Sequence, residues 1–158
     1  MTLAADLVEV AYGAGAIIAT AESCTGGLVA VAITDIAGSS AVFDRGFITY
    51  TNTAKVDMLG VKKTTLDAYG AVCEQVAAEM ALGAVRNSNA TISVSITGIA
   101  GPGGSDHKPE GRVCFGVYND GTTVTQTVNF GPLGRCNVRI KACNHALELL
   151  VNEIKYTK

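Results

Sequence analysis

The chain alternates between two spacings of apolar residues. Leu3, Leu7, Val10 and Ala11 recur every three to four residues and predict a helix over 2–13, ended at Gly13. "AIIAT" (16–20) is a short unbroken apolar run, as in a buried strand. Helical spacing returns from Cys24 to Ile36 through Leu28, Val31 and Ala32, and Gly38 stops it. "GFITYT" (46–51) mixes β-branched and aromatic residues and predicts a second strand. "TAKVDML" (53–59) predicts a short helix with Asn52 as its N-cap and Gly60 at its close. "TTLDAYG" (64–70) supports one or two turns, and 73–86 a longer helix with Val76, Ala77, Met80 and Ala84 on one face. "TISVSIT" (91–97) reads as a central strand. "RVCFGVY" (112–118) and "TTVTQTVNF" (122–130) are strands joined through "NDG", a hairpin signal. The last helix, over 135–155, carries Val138, Ala142, Ala146, Leu149, Leu150 and Ile154 on its apolar side. Together these elements predict an α/β domain: a mixed sheet with helices on both faces and antiparallel last strands.

Composition narrows the partners. A length of 158 residues suits one domain, and with 6% aromatic residues the core must come from Ala, Val, Ile and Leu. A net charge of −2 leaves no basic footprint for nucleic acid. No apolar run approaches the roughly 18 residues of a membrane span. "MTLAADLVEVAYGAGA" lacks the basic start of a signal peptide. Cys24, Cys73, Cys114, Cys136 and Cys143 are odd in number and form no CxxC, which predicts reduced thiols in a cytoplasm. With His107 and His145 the only histidines, no metal site is expected. Low charge and abundant Ala and Gly suit subunit contacts, so a homo-oligomer is expected.

Candidate chemistry gathers at strand ends, where alternating α/β sheets bind ligands. "ESCTGG" follows the first strand and "GIAGPGGSDHKPEG" the central one. A helix start after "CTGG" would offer free N–H groups to a phosphate, with hydroxyls from Ser23 and Thr25; the alternative is a plain helix cap beside a glycine pair. Glu22 is expected to organise this loop by accepting backbone N–H bonds, and Cys24 to pack beneath it. Cys73 is expected to cap or pack at a helix start, Cys114 to lie in the core, and both histidines to be structural. Asp44 and Arg45 are expected to pair as ions. "AGSSAVFDRGFITYTNTAK" (37–55) holds Ser39, Ser40, Tyr50 and Lys55 and no histidine. A serine needs a base to become a nucleophile, and a neutral lysine can supply one if burial depresses its pKa. Taken alone, such a pair reads more readily as a surface lysine near a chance serine.

"TAESCTGG", "DIAGSSAVFDRGFITYTNTAK", "SITGIAGPGG" and "KPEGRV" occur in this order. Together they closely resemble the CinA C-terminal domain family, over about residues 5–150. The resemblance implies a three-layer α/β/α sandwich and a single amidase domain over 1–158. It also implies hydrolysis of the carboxamide of nicotinamide mononucleotide, in pyridine-nucleotide recycling, with no cofactor. Carried over position by position, it gives Ser40 as nucleophile, Lys55 as general base and Tyr50 as the tyrosine assisting them. Ser23, Thr25, Gly26, Gly27, Gly98, Ala100 and Gly101 would line the pocket, with Arg135 and Arg139 as phosphate partners. Three positions depart from the family pattern: Gly134 stands where Asp is usual, the 101–109 loop is one residue shorter, and Glu110 replaces an apolar residue. The alternative is a non-catalytic nucleotide-binding module.

Overall fold

In the computed structural model, which describes residues 1–157, the strand that begins at Ile18 forms the middle of the architecture. This strand, β1 (Ile18–Glu22), is buried at all five positions. Parallel strands β2 (Phe43–Ile48) and β3 (Ile92–Gly98) flank it. Antiparallel strands β4 (Arg112–Asn119) and β5 (Thr122–Asn129) complete the order β2-β1-β3-β4-β5. The hairpin turns at Asp120 and Gly121, both with positive φ (49° and 80°), as a tight two-residue turn requires.

Helices cover both faces, giving three layers. α1 (Leu3–Ala14), α2 (Leu28–Thr34) and α6 (Arg135–Tyr156) pack on one face, around Leu7, Ile18, Ile33, Phe115, Val138 and Leu150. α3 (Asn52–Leu59), α4 (Lys63–Tyr69) and α5 (Glu74–Arg86) cover the other, around Ala19, Ala21, Phe47, Leu59, Val76 and Met80. The serines of β3 are polar yet fully buried because each has an acceptor. Ser93 Oγ donates to the Ala81 carbonyl at 2.6 Å and Ser95 Oγ to that of Ala77 at 2.5 Å, tying the strand to α5.

Several boundaries differ from the pattern-based expectation. β1 runs two residues later than "AIIAT", because Ala21 and Glu22 still pair with both neighbours. Cys24–Gly27 is a turn rather than the first turn of a helix, with Gly26 and Gly27 at φ 57° and 106°. β2 begins and ends three residues earlier than "GFITYT". Thr51, not Asn52, caps α3: its side chain accepts from the Ala54 N–H at 3.0 Å. Cys73 does cap α5, its sulfur accepting from the Val76 N–H at 3.4 Å. Asp44 and Arg45 do pair, at 2.9 Å.

The topology leaves one crevice. From β1 the chain passes through α2 on one face to β2, then through α3–α5 on the other face to β3. The connections leaving β1 and β3 therefore diverge, and a gap opens beyond their carboxyl ends.

Candidate active site

The crevice is a cleft of about 340 Å³. Ser23 and Cys24 enter it from the end of β1, Tyr50, Asn52 and Lys55 from the end of β2 and the start of α3, and residues 97–106 from the end of β3. Arg135, the first residue of α6, closes the remaining side. A larger cleft of about 630 Å³ lies at the opposite end of the sheet, beside Ala14, Ile92 and Asn119. Its lining has no serine, cysteine, lysine or histidine, so the chemistry points to the smaller one.

Lys55 is the most unusual residue in the cleft. Thr51 starts α3 one turn before it, and its side chain runs back toward that helix start and down into the protein. It is 1% exposed. Its Nζ lies 2.9 Å from Ser23 Oγ, 2.9 Å from the Thr49 carbonyl and 3.2 Å from the Tyr50 carbonyl. No carboxylate pairs with it among the described residues. Burial pushes its pKa down from 10.5 to about 8, against an opposing effect of Cys24. As an ammonium, Nζ donates one proton to each of these three acceptors. As a neutral amine it has two N–H donors and one lone pair, so both protons can stay on the carbonyls while Ser23 Oγ donates to the lone pair.

Ser40 does not meet Lys55. It is exposed, on a 3₁₀ turn (Ser39–Ala41) just before β2, whereas Lys55 and Tyr50 follow the other end of that strand. Six strand residues span roughly 17–20 Å, so the two groups lie at opposite ends of the sheet. Ser40 is absent from the cleft lining, and Ser23 occupies the place beside the amine. A sequence signal was available: Ser23 is the first residue after its strand, and Ser40 precedes its own.

The "CTGG" helix start also departs from expectation. Glu22 is fully buried, and its carboxylate accepts from the N–H groups of Gly27 (3.2 Å), Val29 (2.9 Å) and Ala30 (3.0 Å). The protein's own carboxylate therefore fills the place considered for a phosphate, and Glu22 organises the loop as the sequence suggested. Glu22→Ala would leave three donors, two of them buried, without an acceptor. It is expected to lower stability by about 3 kcal/mol or more, read as a drop in the urea unfolding midpoint.

Arg139 is likewise occupied. Its Nε donates to the Cys24 carbonyl at 3.0 Å and an Nη to that of Thr25 at 3.2 Å, so it braces the turn from behind. Gly26 and Gly27 form the turn, and Thr25 is buried below it; none of the three lines the cleft. Gly98, Ala100 and Gly101 do line it, and Gly98 also lets β3 lie close to Val113. Tyr50 and Arg135 meet at the mouth: Arg135 donates to the Tyr50 hydroxyl at 2.8 Å and to the Gly101 carbonyl at 2.7 Å. The Tyr50 side chain is thus held by Arg135, and its main-chain carbonyl is what reaches Lys55. Cys24 is 5% exposed, and burial pushes its thiol up to about 12, so it stays protonated at neutral pH. His145 packs against Phe115 and Phe130 and does not line the cleft. Asn52, expected only as a helix cap, lines the cleft from the first residue of α3, and Asp106, not singled out in the sequence, lines it from a polar surface turn that resembles any solvated loop.

The chain is similar to known proteins over nearly its whole length. The family described as the CinA C-terminal domain matches residues 1–154. The nicotinamide-nucleotide amidohydrolase PncC of Escherichia coli is 49% identical over 152 residues, covering 95% of this chain and 92% of that protein. The protein of the same name from Enterobacter agglomerans is 53% identical over 138 residues, covering 86% of this chain and 84% of that one. Among solved structures, the competence damage-inducible protein A of Klebsiella pneumoniae superposes with a TM-score of 0.95 at 34% identity, covering 99% of this chain and 97% of that one.

Proposed function

The chain belongs to the CinA C-terminal domain family, and on that premise we propose that it hydrolyses the carboxamide of nicotinamide mononucleotide to nicotinate mononucleotide and ammonia, with Ser23 as nucleophile and Lys55 as its base. The observation that carries the chemistry is the buried Nζ of Lys55, 2.9 Å from Ser23 Oγ and otherwise bound only to main-chain carbonyls. A module that merely bound a nucleotide would have no need of a fully buried lysine held without a carboxylate. The depressed pKa makes about a tenth of the lysine neutral at pH 7, enough to act as a base.

In the acylation step, the Ser23 proton passes to Nζ as Oγ bonds to the carboxamide carbon. The resulting ammonium returns that proton to the amide nitrogen, the C–N bond breaks, and ammonia leaves. Water then gives a proton to Nζ and adds to the ester. As the ester bond breaks, the proton returns to Ser23 Oγ and nicotinate mononucleotide departs. Of the turn after Ser23, only Cys24 lines the cleft, and its backbone N–H is the donor we assign to the developing oxyanion. One such donor contributes roughly 3–4 kcal/mol in sites where it has been tested.

Arg135 is the cation at the cleft mouth and the partner we assign to the phosphate. The carboxylate-filled α2 start and the braced Arg139 leave it as the main phosphate contact of those considered. The reaction belongs to pyridine-nucleotide recycling by its product, in a cytoplasmic setting. Exposed apolar side chains such as Val31 and Ile48 support a homo-oligomer. No helix among the described residues is long and apolar enough to cross a membrane.

Ammonia release from purified protein tests the assignment, with nicotinamide mononucleotide, nicotinamide riboside and nicotinamide run side by side. The mononucleotide is expected to turn over. The riboside should be at least about tenfold poorer in kcat/KM, the contribution of one charge-assisted hydrogen bond or more. No release from the mononucleotide would overturn the activity, and equal kcat/KM for both compounds would remove Arg135 as phosphate partner.

A further inference from the structure

Glu110 lies outside the cleft lining, yet it ties two of the cleft walls together. Its Oε1 accepts from the Gly103 N–H at 2.7 Å and its Oε2 from the Gly134 N–H at 2.9 Å. Gly103 belongs to the glycine-rich wall that follows β3. Gly134 precedes α6, and its neighbour Arg135 closes the other side. Gly134 has no side chain to cap this helix, so the Glu110 carboxylate supplies both an acceptor and a negative charge at the α6 start. A Cβ on Gly101 would come within 2.5 Å of Glu110 Oε1. The carboxylate therefore presses against the main chain whose carbonyl receives Arg135.

We infer that Glu110 is a positioning residue for substrate binding: one carboxylate bridges the 101–104 wall to the α6 start and so fixes Arg135 and Gly101 at the cleft mouth. The inference rests on the amidohydrolase reading above. Ser23 and Lys55 are held by β1, β2 and α3, with no contact to Glu110, so the clamp acts on affinity and leaves the chemical step alone. Glu110→Gln keeps one acceptor oxygen and loses the other; Glu110→Ala loses both.

The test is Michaelis kinetics of ammonia release for wild type, Glu110→Gln and Glu110→Ala, with amide hydrogen exchange at Gly103 and Gly134. KM for nicotinamide mononucleotide is expected to rise about tenfold in Glu110→Ala and less in Glu110→Gln, with kcat within about twofold. Exchange at both amides should quicken. A lowered unfolding midpoint with KM unchanged would make Glu110 merely structural and overturn the inference, as would a fall in kcat at constant KM. If Glu110→Ala does not fold, Glu110→Gln carries the same tests. If wild type releases no ammonia, the activity reading fails by itself. The clamp is then judged by exchange alone: faster exchange at both glycines sustains it, and unchanged exchange overturns it.

Discussion

Ser23→Ala is expected to lower ammonia release from nicotinamide mononucleotide at least about a thousandfold, the scale of losing a nucleophile that works as a unit with its base. The fold should be retained, because Lys55 Nζ keeps its bonds to the Thr49 and Tyr50 carbonyls when the hydroxyl is gone. Ser40→Ala should stay within about twofold of wild type, as expected of an exposed residue away from the cleft. The pair of variants separates two serines that lie in similar small-residue segments of the sequence. Turnover lost in Ser40→Ala and kept in Ser23→Ala would return the nucleophile to the other end of β2 and leave the Lys55 contact unexplained.

Lys55 should give the second large effect. Its pKa is depressed from 10.5 to about 8 by burial, so below that value the amine is protonated and has no lone pair for Ser23. In the free enzyme, kcat/KM should therefore rise about tenfold per pH unit up to about pH 8 and level off above it. Lys55→Arg keeps a positive charge that cannot be lost near neutrality. It should fall about a hundredfold to ten-thousandfold, the usual contribution of a general base, and Lys55→Met should match it. Substantial rate in Lys55→Arg, with the acid limb kept, would mean that the residue acts as a fixed charge.

Much of the fold was legible in the chain because burial and periodicity coincide there. β3 was found from "TISVSIT", and "NDG" gave the β4–β5 hairpin, since both signals are local. The amide-accepting role of Glu22 was legible for the same reason, since a charge at the end of a buried strand needs partners nearby; Lys55 stood out only through the family resemblance. Its serine partner was not legible. Ser23 meets Lys55 across 32 residues, a contact created by laying β1 beside β2, and no spacing along the chain records it. Reading β1 two residues early also hid that Ser23 is the first residue past the strand. Arg139 misled differently: its acceptors are the carbonyls of Cys24 and Thr25, and any residue presents a carbonyl. Glu110 and Gly134 each stood out as departures from the family pattern, but only the fold shows that the first caps the helix that the second leaves bare.

The central claim is that Ser23 carries the acyl group between the two halves of the reaction. Its most direct test is a single-turnover reaction of wild-type protein with nicotinamide mononucleotide, quenched in acid, digested and analysed by mass. The account predicts ammonia in excess over nicotinate mononucleotide at early times, with the missing acyl mass on the peptide spanning residues 20–27, esterified at Ser23. The acyl mass on the peptide that holds Ser40, or ammonia and acid appearing in equal amounts throughout with Ser23 unmodified, would contradict it.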